Sequence, residues 1–131
     1  KIKNKNSLII APHPFFGIVS IGKKLEKYID VIDGIEHSSY YSILINRNKK
    51  AIKIAKKFNK PLVGNSDAHY LYQIGSNYTL IDAEKNIDSV IQAIKNNKIK
   101  LETRTISLAK FIRIFISLVF LAPIKGLKRR N

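Results

Sequence analysis

The chain has 131 residues, with 24 lysines and arginines against nine acidic side chains, and a formal net charge of +15. Its length suits one domain with a modest core, and the absence of cysteine excludes a disulfide framework and thiolate metal sites. The excess of lysine beside abundant isoleucine and asparagine indicates a compositional bias, but a positive field still favours anionic partners. Because cysteine-free chains are compatible with a reducing compartment, we expect a cytoplasmic protein.

Strands and helices are predicted to alternate along the chain. Short apolar runs bounded by proline, glycine or asparagine predict strands at 8–11, 31–36, 61–65, 78–81 and 99–104. Apolar residues at helical spacing predict helices near 21–31, over 46–58 and over 87–94, the last capped by Asn86 or Asp88. This alternation indicates an α/β fold built from βα units with parallel strands.

All three histidines of the chain fall at the ends of predicted strands. His13 lies between two prolines after the first strand, His37 ends the second, and His69 follows the third in Ser66-Asp67-Ala68-His69. The loops after parallel strands build the site in α/β sheets and barrels, so these side chains should converge. Imidazole and carboxylate groups are common ligands of divalent metals. An ordinary turn at residues 66–69 is the competing interpretation, but three histidines at one edge favour a metal site.

Several short motifs follow one another in order across residues 7–104. They are Ala11-Pro12-His13-Pro14, Gly34-Ile35-Glu36, a lysine- and alanine-rich helix, Gly64-Asn65-Ser66-Asp67-Ala68-His69, Ile74-Gly75 and Tyr78-Thr79. The series resembles the polymerase and histidinol phosphatase (PHP) family. That resemblance implies a distorted seven-stranded β/α barrel with two or three divalent ions (zinc, manganese or iron, with magnesium also compatible). It also implies hydrolysis of a phosphate ester by a metal-bound hydroxide, with a phosphorylated small molecule or nucleotide as substrate.

By the same resemblance, His13, Asp67 and His69 would be metal ligands. Asp67 would also orient the attacking water or accept its proton, which makes it the candidate catalytic residue. Glu36 matches a recurrent glutamate to which no ligand role is assigned. His37 has no counterpart in the family and is expected at the surface or behind the ligands. We retain Glu36 and His37 as supporting residues or substrate contacts.

One part of the family's pattern is missing. The family opens with a His-x-His pair followed by an acidic residue and further histidines, whereas this sequence has three histidines and no His-x-His. His13, Asp67 and His69 are too few to fill two four-coordinate shells. Together with the absence of methionine and a start at Lys1, this predicts a fragment: the C-terminal half of a PHP-type barrel over residues 1–104, inactive on its own.

Residues 105–131 are predicted to form a hydrophobic, basic C-terminal helix and tail. After Glu102 the chain has seven basic residues and no acidic one. A membrane span is disfavoured, because Lys110 and Arg113 near the bilayer centre would cost about 2.5–3.5 kcal/mol each. A helix at an acidic membrane surface and a helix packed on the barrel or a partner are equal alternatives. The basic residues that would make these contacts are Lys110, Arg113, Lys128, Arg129 and Arg130.

Two other functions stay open. The missing ligands and the unusual tail favour a catalytically inactive module that binds a membrane or a partner. The charge and the range of the family allow a nuclease or a polymerase-associated exonuclease domain. Sequence-specific nucleic-acid binding is not expected, because the chain has no recognition helix or aromatic RNA-binding signature, although binding to a nucleic-acid backbone needs only charge.

Overall fold

A computed structural model describes residues 6–16, 20–68 and 71–116 of the chain. The described residues contain five strands and three α-helices. The strands are β1 (Ile10–Ala11), β2 (Gly34–His37), β3 (Leu62–Gly64), β4 (Asn77–Ile81) and β5 (Ile99–Thr103). The helices are α1 (Asn48–Lys57), α2 (Ile87–Lys95) and α3 (Leu108–Ile116).

The first three strands form a parallel sheet in the order β1-β2-β3. Helix α1 crosses from β2 to β3 and buries Ala51 and Ala55, while the lysines on its other side are exposed. This pattern follows from small apolar residues at helical spacing, which let the helix lie close to the sheet. The α/β class and the parallel pairing are confirmed for this part. Its core consists of Ala11, Leu25, Ile29, Ile32, Ile35, Ala51 and Ala55.

The expectation of parallel pairing throughout is wrong for β4 and β5, which pair antiparallel with Ile81 opposite Ile99. Helix α2 joins them without returning the chain to the start of β4. Asn97 ends the helix in the left-handed region at φ 56, and the Asp82 N–H donates to Lys98 O at 3.1 Å. The chain therefore enters β5 beside the end of β4 and runs back along it.

Strand β3 approaches the second sheet closely at Gly64. The Thr79 hydroxyl accepts from the Gly64 N–H and donates to Gly64 O, both at 2.8 Å. A Cβ at Gly64 would overlap Leu101 Cδ1 and lie 3.3 Å from Tyr78 O, so glycine permits this contact. Over the described ranges the strands form two sheets that do not close into a barrel, and the barrel stays a prediction.

The helix predicted near 21–31 is wrong in type. The segment forms two 3₁₀ turns, Gly22–Lys24 and Glu26–Tyr28. Gly22 has φ 51, which is incompatible with a continuous α-helix, and the Tyr28 N–H donates to Leu25 O, three residues back. Leu25 and Ile29 still reach the core, and both flank the second turn with right-handed helical angles.

Helix α3 packs one face onto the domain. The Tyr40 ring stacks on the Phe111 ring with centroids 4.2 Å apart, and the Tyr40 hydroxyl donates to Phe111 O. Phe111 and Ile114 are buried, and the Ile106 N–H before the helix donates to Tyr41 O at 3.0 Å. Among the helices of the described ranges, none is long and apolar enough to cross a membrane.

Candidate metal centre

The ends of β1, β2 and β3 bring three predicted site residues to one edge of the parallel sheet. His13 follows β1, Glu36 lies near the end of β2, and Asp67 follows β3. Because β2 is the central strand, Glu36 lies between the loop that carries His13 and the loop that carries Asp67. The parallel pairing of β1, β2 and β3 therefore brings these three residues to the same edge, as their positions at strand ends predicted.

Glu36 is bonded directly to the first of these loops. The backbone N–H of His13 donates to Glu36 Oε2 at 2.9 Å, and Glu36 is 2% exposed. The other carboxylate oxygen, Oε1, and the ring atom Nδ1 of His13 are both buried without a hydrogen-bond partner among the described residues. Such atoms are rare in folded proteins. A divalent cation is one partner that accepts both an imidazole nitrogen and a carboxylate oxygen.

The electrostatics of Glu36 show which groups surround it. Burial raises the pKa of the Glu36 carboxyl above its ordinary value, and the negative charge of Asp67 acts in the same direction. The backbone N–H of His13, the charge of the His13 ring and the nearby Asn65 side chain lower the same pKa. Groups from all three strand ends thus act on one buried carboxylate.

The loop after β3 is a turn that leaves the Asp67 carboxylate exposed. The Asp67 N–H donates to Asn65 Oδ1 at 2.9 Å, as in an Asx turn. The neighbouring Ser66 O accepts from Ser39 Oγ at 2.7 Å, which ties the loop to the segment after β2. The turn and the metal site were treated as competing interpretations, but Asn65 makes the turn while Asp67 stays available to a ligand.

Both His13 and Asp67 have backbones in the left-handed region, with φ of 26 and 42. Non-glycine residues in sparsely populated conformations cost about 1–3 kcal/mol each, and they cluster at functional sites. Two of the three residues predicted as ligands are therefore held in conformations that local preference alone would not select.

A family model described as PHP-associated matches residues 46–99. Over these residues the chain is similar to the PHP-associated family. The match spans the region from the start of α1 to the start of β5 and includes the Asp67 loop, but it does not extend to His13 or Glu36. A search of curated proteins found no match. The PHP resemblance is confirmed over residues 46–99, and it suggests the PHP phosphoesterases without specifying a reaction.

PHP proteins are typically metal-dependent, and the described residues supply only part of a ligand set. Among them, no group of three or more histidine, aspartate and glutamate side chains could hold a metal ion. His69, the third predicted ligand, lies within the PHP-associated match but outside the described residues. The roles of His13, Asp67 and His69 as ligands stay predictions.

His37 belongs to the opposite side of the sheet. It is 5% exposed, so a surface position is wrong, and successive strand residues point to opposite faces, which separates it from Glu36. Asn77 Nδ2 donates to His37 O at 3.0 Å and lies 3.4 Å from His37 Nδ1, while the Tyr41 ring packs edge-on at 5.1 Å. Burial lowers the pKa of His37, and these contacts assign it to packing between β2 and β4.

Two partners of the site residues gave little signal in the sequence. Asn65, next to Glu36, lies inside a recognised motif but has the residue type of an ordinary turn. Asn77 is 1% exposed and joins β4 to β2, although its position just before a predicted strand suggested only a boundary. Of the predicted basic contact residues, Lys110 and Arg113 are exposed on α3. Lys128, Arg129 and Arg130 lie outside the described residues.

Proposed function

We propose that this chain supplies part of the active site of a metal-dependent phosphoesterase. One observation carries the proposal: His13 Nδ1 and Glu36 Oε1 are buried and unpartnered among the described residues, at the sheet edge that also carries Asp67. The PHP-associated match over residues 46–99 supports the same reaction class.

The donors fit a divalent cation such as zinc, manganese or iron, which bind imidazole nitrogen and carboxylate oxygen. His13 and Asp67 would hold the ion, with His69 as a third ligand by the family resemblance. Divalent cations would activate water and neutralise the charge on the phosphate oxygens. The side chains of this protein would position the ion and orient the attacking water.

Each side chain has a distinct task in this proposal. Glu36 accepts the His13 N–H through one oxygen and so positions the loop that presents the imidazole. Its second oxygen is available to the ion. Asp67, whose carboxylate is exposed, orients the attacking water or takes its proton. Because His13, Asp67 and His69 are fewer ligands than a two-ion site needs, metal binding is a sharper test of this chain than turnover.

The test is a titration of the chain with Mn²⁺, followed by water-proton relaxation, on the unchanged protein and on His13→Gln, Glu36→Gln and Asp82→Asn. Replacing His13 or Glu36 should weaken binding about 10- to 100-fold, because these groups hold or position the ion. Asp82 is an exposed carboxylate that directly follows β4 and lies outside the loops after β1, β2 and β3. Asp82→Asn is therefore the matched control. Equal affinities in all four proteins would remove His13 and Glu36 from the site.

A second candidate function is attachment to an acidic membrane surface through α3. The helix exposes 43–51% of each of Leu108, Ile112, Phe115 and Ile116, whereas Phe111 and Ile114 are buried. Arg113 and Lys110 lie on the polar side, and the chain contains no acidic residue after Glu102. An apolar face combined with basic residues suits an interfacial helix, and each Lys or Arg near acidic lipid contributes about 1 kcal/mol.

Vesicle co-sedimentation tests this candidate. The double variant Ile112→Asn/Phe115→Asn should lose binding to vesicles that contain phosphatidylserine, because its apolar face is disrupted. Ile43→Asn is the control, since Ile43 is 86% exposed in a loop outside α3. If both variants and the unchanged chain sediment alike, α3 does not mediate attachment.

A further inference from the structure

A cavity lies beside the candidate metal centre, and the proposed function does not use it. It encloses about 300 Å³. Its walls are the segment after β2, residues 73–76 and the connection between β5 and α3. Two cations, Arg104 and Lys110, line it, and none of the described lining residues is acidic.

The polar groups of this cavity are suited to an oxyanion. Within the described ranges, neither Arg104 nor Lys110 forms an ion pair. Thr105 and Ser107 add hydroxyl groups to the lining. Ser107 Oγ accepts the Lys110 N–H at 3.3 Å, which leaves its own hydroxyl hydrogen to be donated. Cationic side chains beside hydroxyl donors make strong charge-assisted hydrogen bonds to phosphate and carboxylate.

Backbone hydrogen bonds hold the walls together. The Arg104 N–H donates to Ser76 O at 2.9 Å, joining the β5–α3 connection to residues 73–76. The Ile106 N–H donates to Tyr41 O at 3.0 Å, joining the same connection to the segment after β2. A cavity whose walls are tied in this way is formed before a ligand arrives, and preformed sites bind with a smaller entropic cost.

The cavity also adjoins the loops of the metal centre. Ser39 lines it and donates to Ser66 O, the residue before Asp67, at 2.7 Å. Tyr40, another lining residue, contacts the Phe16 ring at 4.8 Å, and Phe16 contacts the His13 ring at 6.4 Å. Two short series of contacts therefore link the cavity to the loops of the metal centre.

We propose that this cavity binds the non-reacting phosphate or carboxylate group of an organic substrate, in contact with Arg104 and Lys110. Ile74, Ile106 and Ile114 line the rest of it, so the ligand carries an apolar portion next to its anionic group. The assignment of the ligand as substrate rests on the proposed phosphoesterase function, whereas anion binding in the cavity does not. Both cations lie outside residues 46–99, so the charged part of the cavity lies beyond the family match, whereas residues 73–76 of its lining lie within it.

The experiment measures equilibrium binding of phenyl phosphate to the whole chain in the presence of EDTA, by two-dimensional NMR. Arg104→Gln and Lys110→Gln should each raise the Kd about tenfold, since each removes a hydrogen bond to a charged group. Arg104→Lys should recover part of the affinity. Lys56→Gln carries the same charge change at an exposed site on α1 that does not line the cavity, and should leave the Kd unchanged.

Three other probes identify the ligand chemistry. Tighter binding of phenyl phosphate than of benzoate supports a phosphate group, and the reverse supports a carboxylate. Inorganic phosphate that binds as tightly as phenyl phosphate would make this a site for free phosphate and overturn the substrate assignment. Benzyl alcohol that binds as tightly as phenyl phosphate, or an Arg104→Gln variant with unchanged affinity, would overturn anion recognition itself.

The two proposals fail separately. Since EDTA removes divalent ions, binding in the cavity can be lost or kept irrespective of the metal centre. Retained phenyl phosphate affinity together with no effect of His13→Gln on Mn²⁺ binding would refute the phosphoesterase proposal and the assignment of the ligand as its substrate, but not anion binding in the cavity. Normal Mn²⁺ binding with an Arg104→Gln variant that behaves like Lys56→Gln would refute only the anion cavity.

Discussion

Glu36 has one oxygen bonded to the His13 N–H, while the other has no hydrogen-bond partner among the described residues. The sequence identified this glutamate but not its role, because the bond to His13 spans 23 residues and depends on how β1 and β2 pair. His13 and Asp67 could be chosen from the sequence since they directly follow predicted strands. The burial of His37 could not be predicted in this way, because it depends on Asn77, which is 40 residues away.

At the residue scale, Asp67→Asn separates chemistry from folding. Asparagine tolerates the left-handed backbone that Asp67 adopts at φ 42, so the turn should persist. The carboxylate that would hold the ion and take a proton is lost, and hydrolysis of p-nitrophenyl phosphate by an active assembly containing this chain should fall about 10²- to 10⁴-fold. Turnover and thermal midpoint are measured together, with Asp82→Asn as the control. Unaltered turnover would exclude Asp67 from catalysis.

At the scale of elements, local patterns predicted α1, α2, β3, β4 and β5 to within two residues of their ends, because periodicity and end signals are local. The pairing of β4 with β5 could not be predicted from local patterns. It depends on the turn at Asn97, which brings the chain back beside Ile81. The 3₁₀ turns near residue 22 could not be predicted from the apolar pattern either, because the break in the helix depends on the positive φ of Gly22.

The contact between β3 and the β4–β5 pair gives a prediction for Gly64. Gly64→Ala should lower the free energy of unfolding by about 1–3 kcal/mol, because its Cβ would overlap Leu101 Cδ1 and crowd Tyr78 O. Leu101→Ala in the same chain should recover part of this loss, since the closest neighbour is then removed. Urea unfolding of both single variants and the double variant measures the coupling. Purely additive losses would show that the two residues do not meet.

The attachment of α3 gives a pH-dependent prediction. Burial raises the pKa of Tyr40 to about 12 from an ordinary value of 10.0. Between these values the folded protein keeps the phenol proton that the unfolded chain has lost, so the stabilisation is complete below about pH 10 and disappears as pH rises towards 12. Tyr40→Phe removes the hydrogen bond to Phe111 O and should cost about 1 kcal/mol at pH 8.

Urea unfolding from pH 8 to pH 12 tests this prediction. The difference in unfolding free energy between the unchanged chain and Tyr40→Phe should shrink as the pH rises through the range. Tyr28→Phe is the control, because Tyr28 is 45% exposed and lies outside the contact with α3. A constant difference across the pH range would mean that the Tyr40 hydroxyl does not hold the helix.

At the scale of the whole molecule, the net charge of +15 is the dominant electrostatic property. Like charges at this density repel one another in the compact state, and salt screens them with a Debye length of about 10 Å at 0.1 M. The thermal midpoint should therefore rise between 10 and 150 mM NaCl. Replacing Lys49, Lys53 and Lys56, which are exposed on α1, by glutamine should reduce this rise. A midpoint independent of salt in both proteins would show that self-repulsion is negligible.

The left-handed backbones of His13 and Asp67 have a consequence for engineering. Glycine is the residue that adopts such angles without steric cost, so His13→Gly and Asp67→Gly would relieve the conformational penalty while deleting the donor atoms. A screen for heat-resistant variants should thus enrich substitutions at these two positions, which we propose as metal ligands. Thermal tolerance and ion affinity would then change in opposite directions, the trade-off expected where selection has kept a costly geometry for its use.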